Sequence, residues 1–401
     1  ASDETWGVAA SKALANAHLE DGNAEEAIAV LQTGLEATPN HLALVDAAAQ
    51  AYIEAGRLSD GERTTTAALA EFENEGWAHG SHARVLLAKG EPTKAVGELD
   101  RAVELSPGDA SLYALRGDAG REVGSTAEAK ASYEMALQLD PEQPRALSGF
   151  AALLIDMRDF TRAAEIVDQM DKAKVRDLRS DEQRVRFLVR TGAGQSGVAA
   201  MRNAVGRHKN NVALRLAGAR VYLQAEDYTR AGSYFQQAKR TGADPRLAET
   251  GLALSQIYGR RKLGAEKSLE RAAEAFDAEG NPLKAGSQVQ VWELMVKARI
   301  ALADEKRGLA VRYGKEAEGL LPDDADVYLL QADIEEDRER SPEEPLRKAA
   351  NAPVPMPIAA GHLATLLGPT EEGCEMAARY LKANRTGKLA SRVRDVSRQC
   401  K

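Results

Sequence analysis

His79 and His82 stand three residues apart, a spacing that places two imidazoles on one face of a helix as a metal pair requires. A tetrahedral site needs a third and a fourth ligand, and the sequence offers none beside them. Gly192, Gly194 and Gly197 spell G-x-G-x-x-G after an apolar run at 185–189, the pattern that lets a helix N-terminus meet a pyrophosphate. The acidic residue that should hold a ribose about 20 positions later does not come until Glu226, too far along. Gly259 and Gly264 have the glycine spacing of a phosphate loop, but Ala265 stands where its lysine must be. No Ser-His-Asp order, H-E-x-x-H or supported carboxylate pair appears. The expectation is a chain without catalytic residues, cofactor or metal, its histidines and glycines serving packing and turns.

Charge is more informative. Between residues 183 and 225 there is no Asp or Glu, while Arg184, Arg186, Arg190, Arg202, Arg207, Lys209, Arg215 and Arg220 supply eight positive charges. The first hundred residues and the stretch 323–344 are acidic, and the net charge is −8. Such a molecule is repelled by a phosphate backbone or an anionic bilayer, so no nucleic acid is expected among its partners. No apolar run approaches the roughly 18 residues of a membrane span. The chain opens at Ala1 with no charged, apolar and small-residue leader, so any signal peptide is expected to have been removed, which leaves an exported or periplasmic chain and a cytoplasmic one both open. Cys374 and Cys400 are too few for a disulfide scaffold and lack zinc spacing; they are expected to face each other across the last helices and to bond if the protein is exported.

What must position these residues is a repeat. Shifted against itself by 34 residues, the sequence keeps one phase from Val8 to about Glu279, with units starting at Val8, Leu42, Gly76, Ala110, Pro144, Leu178, Val212 and Arg246. The eighth position reads Ala15, Ala49, Ala83, Gly117, Ala151, Val185, Ala219 and Ala253; the twentieth reads Ala27, Gly61, Ala95, Ala129, Ala163, Gly197, Ala231 and Ala265. Small residues recur there because two helices cross, and a larger side chain would separate their backbones. Gly22, Gly56, Gly90, Gly124 and Gly192 mark the turn between the helices, where a left-handed conformation is cheap only for glycine. Arg158, Glu226 and Arg260 occupy that position in other units. The second helix is expected to pack through Leu31, Leu99, Tyr133, Val167, Met201, Phe235 and Leu269, and Pro39, Pro107 and Pro141 to close it.

This pattern resembles the tetratricopeptide repeat family, most closely over 110–141, where Tyr113, Gly117, Gly124, Ala129, Tyr133, Ala136 and Pro141 stand at the family's signature positions. The resemblance implies an all-α fold, an α-solenoid forming a right-handed superhelix of helix-turn-helix repeats. In such a solenoid each repeat touches only its neighbours and the chain stays elongated. Residues 8–279 are read as eight in-phase repeats and 280–351 as phase-shifted degenerate ones, with an insertion or longer helix at 281–290 and the new register giving Ala298, Ala310 and Ala317. Residues 352–401 are read as a stiff proline connector (Pro353, Pro355, Pro357), a terminal helix pair and a capping helix bearing Arg385, Lys388, Arg392, Arg394 and Arg398.

The function the resemblance implies is a non-enzymatic scaffold or adaptor that holds a protein or peptide partner in its concave face. Some relatives grip a peptide's terminal carboxylate with a clamp of lysines and asparagines. Lys12 and Asn16 match its first pair, but Ala47, Trp77 and Ser81 fill the remaining positions, so the clamp is not expected. Arg179, Arg186 and Arg190 share one helical face, and Arg220 lies one repeat beyond Arg186 in the same position. These four are the expected contact surface for an acidic segment of a partner. An accessory subunit of a secretion, assembly or polysaccharide-export machine is the alternative, and an RNA-binding helical repeat the weaker one, since it needs a basic groove along its whole length. The oligomeric state is left open.

Overall fold

A computed structural model describes residues 2–276, 283 and 285–400 of the chain. Among them are twenty-three α-helices, from Ser2–Glu20 to Ala390–Gln399, and one short 3-10 turn at Gly194–Gly197. None is a β-strand. The end of the eighth unit at 277–279 and part of the expected insertion, residues 281, 282 and 284, lie outside the described residues. Beyond them, Ser287–Ala303 is a longer helix of 17 residues.

The helices start where the sequence repeats: Leu42, Gly76, Ala110, Pro144, Leu178 and Val212 each open one. The residue just before most of these starts satisfies an otherwise unpaired first-turn amide. His41, Asp109, Gln143, Asp177 and Asn211 each accept a backbone N–H through the side chain. At the turn inside each pair, Gly22, Gly56, Gly90, Gly124 and Gly192 adopt φ between +65° and +81°. Arg158, Glu226 and Arg260 take the same left-handed conformation, with φ of 59°, 60° and 60°, at a cost of about 1 kcal/mol each.

The crossing positions are buried throughout, most of their alanines being wholly inaccessible. Large side chains then fill what the small ones leave. The Tyr133 ring lies between Gly117 and Gly149, where a Cβ on either glycine would come within 2.6 Å of it. Its hydroxyl donates to Asp118 (2.6 Å), which also pairs with Arg145 (2.9 Å). Two expected packing residues give way to neighbours: Ile166 and Met170 are buried where Val167 is only half-buried, and Ser268 where Leu269 is. One residue is about 100° of helix rotation, so a small turn of the helix hands the position to the adjacent side chain.

The chain divides into two compact units, residues 1–175 and 176–401. In the first, each helix packs on the next, and the first helix of each pair also packs on the first helix of the following pair. The second breaks the expectation that repeats touch only their neighbours. Its helix Glu371–Ala383 returns to pack on the turn Gly194–Gly197. The physical reason is a polar lock. The buried carboxylate of Glu226 accepts hydrogen bonds from Tyr380 Oη (2.8 Å), Asn384 Nδ2 (3.1 Å) and the Lys388 backbone N–H (3.0 Å). Asn384, itself inaccessible, also donates to the Gln224 carbonyl (2.8 Å) and accepts from the Gln195 N–H (2.9 Å). Glycine permits the close approach: a Cβ on Gly192 would come 2.8 Å from the Pro355 carbonyl, and one on Gly194 would strike Asn384.

The proline connector is correspondingly bent rather than extended, and Pro357 opens the helix Pro357–Leu367. In the last helix Val393 is buried while Arg392, Arg394 and Arg398 are exposed. Lys388 is not simply a solvated cap, because its ammonium sits over the Tyr228 ring at 4.4 Å.

Candidate partner-binding surface

In the second unit the first helices of five successive pairs contribute to one cavity of about 380 Å³. Arg190 comes from Leu178–Arg190, Arg220 from Val212–Gln224, Leu247 from Pro245–Tyr258, Trp292 from Ser287–Ala303, and Asp324 caps Ala325–Asp337. Val354 of the connector closes one side. Of the four arginines expected to form a stripe, the structure brings Arg190 and Arg220 to this cavity. Arg179 and Arg186 lie on the same helix as Arg190, half-buried, and do not line it. Arg179, Arg186 and Arg190 each have an interaction within the structure.

Arg220 also reaches from the cavity toward a buried polar cluster that the sequence did not reveal. Asp326 is 3% exposed and accepts from Tyr258 Oη at 3.2 Å. Its other oxygen is 3.7 Å from Arg220. Burial, then the charge of Asp324, pushes its pKa up to about 6, and the Arg220 and Arg299 guanidiniums and the Tyr258 bond only partly oppose this. Burial also pushes the Tyr258 phenol well above its ordinary value. Arg299 sits over the Tyr258 ring at 4.6 Å and pairs with Asp333 at 2.8 Å. The signals available in sequence were thin: Trp292 is one of three tryptophans and stands beside the start of the shifted register, but nothing in its neighbourhood pairs it with Arg220.

The basic run disperses in space. Arg184 and Arg207 both bind Asp181, a fully buried carboxylate just outside the run, at 3.0 and 2.7 Å. Arg215 donates to Gln237 at 2.5 Å and to the Lys209 carbonyl. Burying Asp181 against two guanidiniums turns two of the eight charges of an apparent basic patch into internal structure.

The remaining candidates also acquire structural partners. His79 engages Glu98 (2.6 Å) and the Glu73 carbonyl (2.8 Å), and His82, whose pKa burial lowers, bonds to Thr65 at 3.1 Å. Among the described residues no three His, Cys, Asp or Glu gather as a metal site, and no helix is long and apolar enough to cross a membrane. Lys12 and Asn16 are exposed. Cys374, in Glu371–Ala383, and Cys400, just past the last helix, are joined by a disulfide with their Cα atoms 5.8 Å apart.

These paired helices with small residues at their crossings define an all-helical repeat protein. Two family models described as tetratricopeptide repeat match it, one over residues 18–75 and 121–180, the other over 47–110 and 186–246, together more than half of the chain. The chain belongs to the tetratricopeptide repeat family. No curated protein matches it significantly in sequence. Solved structures similar to it include a tetratricopeptide repeat protein from Parabacteroides merdae ATCC 43184, with 17% identity over 63% of this chain and 99% of that one at a TM-score of 0.44. PilF of Pseudomonas aeruginosa shows 17% identity over 64% of this chain and 97% of its own at 0.34. A MamA fragment from Desulfovibrio magneticus RS-1 shows 20% over 42% and 95% at 0.33.

Proposed function

We propose that the protein is a non-enzymatic adaptor whose second unit holds an acidic segment of a protein partner against the face carrying Arg179, Arg186, Arg190 and Arg220. Membership of a family whose general role is protein interaction supports the class of function. The observation that carries the particular surface is that Arg190 and Arg220, 30 positions apart, open on one cavity shared by five helix pairs. A planar guanidinium fork matches carboxylates in bidentate pairs, so an acidic segment is the complementary partner. The Cys374–Cys400 bond favours an oxidising compartment, where such a disulfide persists.

The test is fluorescence anisotropy on the full chain with a labelled ten-residue peptide rich in Glu and a matched peptide with Gln. The Glu peptide should bind, more weakly as salt rises, and the double substitution Arg186→Glu with Arg220→Glu should remove binding while leaving helicity intact. Equal binding of both peptides, or of the Glu peptide to the folded double variant, would overturn the acidic-partner reading.

A further inference from the structure

We infer that the cavity contains a seat for a single carboxylate, formed by the Arg220 guanidinium together with the indole N–H of Trp292 and the side-chain amide of Gln288. The inference rests on the acidic-partner reading and adds to it one anchoring point. Around this cavity donors outnumber acceptors. Arg220 makes no hydrogen bond within the described residues: its nearest carboxylate, on Asp326, is 3.7 Å away, and its guanidinium is held instead over the Trp292 ring at 5.3 Å. Trp292 is 3% exposed, and its Nε1 has no hydrogen-bond partner. Gln288, one turn earlier on the same helix, likewise leaves its Nε2 buried and unpaired. Buried donors without acceptors are rare in folded proteins, and each costs roughly 1–3 kcal/mol.

The charged acceptor lining the cavity is Asp324, whose Oδ1 receives the Asp326 and Val327 amides as a helix cap. An incoming group must therefore bring several lone pairs at one point and a charge to meet Arg220. A carboxylate does so with two oxygens and about four acceptor sites. The indole is already oriented for it: the Phe235 ring meets Trp292 edge-on at 5.9 Å, and Arg220 covers its face. Leu216, Leu247 and Val354 surround the donors with apolar surface, which raises the strength of charge-assisted bonds formed there. The seat shares neither residues nor helices with the positions Lys12 and Asn16. The carboxylate is assigned to an acidic side chain within an extended segment rather than to a chain terminus. The arginine face runs on from Arg190 back to Arg179, a rise of about 16 Å along the helix, which a lone terminal group does not span.

Two conservative variants separate the seat from the wider face. Arg220→Lys keeps the charge and loses the fork; Trp292→Phe keeps the ring and loses the N–H. With an N-acetylated, C-amidated Glu peptide, Arg220→Lys should weaken binding at least tenfold and Trp292→Phe about fivefold, both with unchanged helicity, Trp292→Phe melting somewhat lower because the smaller ring leaves part of a buried site unfilled. Wild-type affinity in both variants overturns the seat. The acidic-partner reading then still stands if Arg179→Gln and Arg186→Gln weaken the same peptide, and falls with it if they do not. Binding of a neutral peptide with a free C-terminus, in place of the amidated Glu peptide, overturns the side-chain assignment.

Discussion

Residues 2–175 and 176–400 are built from the same helix pair, yet they resolve its turn and its inner face in different ways. In the first unit the turn position filled by Arg158 leaves that side chain exposed, and the helices pack only locally. In the second, Glu226 has the same left-handed backbone, with φ of 60° against 59°, and its carboxylate is buried under the returning C-terminal hairpin. Identical local geometry thus carries a contact between residues about 160 positions apart in one unit and nothing comparable in the other. A solenoid repeat tolerates one strained turn readily; what the side chain there meets decides whether the strain is incidental or part of a closure.

The strongest way to break the comparison is Glu226→Gly. Relief of the backbone strain favours the variant, but the Tyr380, Asn384 and Lys388 donors lose their acceptor, and a net loss of about 3 kcal/mol is expected. Hydrogen exchange should show amides at 192–229 and 371–399 losing protection while those at 110–172 keep theirs. A loss spread evenly over both units would remove the distinction. Next is the disulfide. Cys374→Ser with Cys400→Ser opens a loop of 26 residues and should cost about 3 kcal/mol in the second unit alone, read as an earlier unfolding transition that reducing agent reproduces in the wild type.

A smaller effect follows from Asp326. Its folded pKa, about 6, lies above the ordinary 3.8, so the folded chain holds a proton that the unfolded chain has released between those values. Its favourable contribution is complete below pH 3.8 and is lost as pH rises through 6. Unfolding free energies of wild type and Asp326→Asn from urea titrations should diverge by about 1.4 kcal/mol between pH 5 and 7.5, the wild type losing the more. Parallel profiles would place the titration elsewhere. The smallest effect is Arg158→Gly, which relieves the same strain as Glu226→Gly with no buried partner to lose. It should stabilise by about 1 kcal/mol or less, and a loss as large as that at Glu226 would show that the two turns are equivalent after all.

The 34-residue phase, the small residues at the helix crossings and the turn glycines were legible because each is a local demand that recurs in every unit. The arginine face was legible in part: periodicity put four arginines on one side, and two of them reach the cavity. Part of the basic run was misleading, since Asp181, two positions before the acid-free stretch, is the carboxylate that takes up Arg184 and Arg207. The pair of glycines at 192 and 194 read as turn residues, and they are; that they also form the floor on which Pro355 and Asn384 rest has no local signature.

By itself, then, the sequence determined the helices, their pairing and the family, because capping, helical periodicity and left-handed turns depend on residues within one or two repeats of each other. Only the tertiary structure decided that the second unit closes on itself, that Arg220 and Trp292 share one cavity and that Arg220 meets the buried Asp326. Those contacts join positions from 72 to about 190 residues apart, and they depend on how small rotations accumulate from one pair to the next, a quantity that no single repeat encodes.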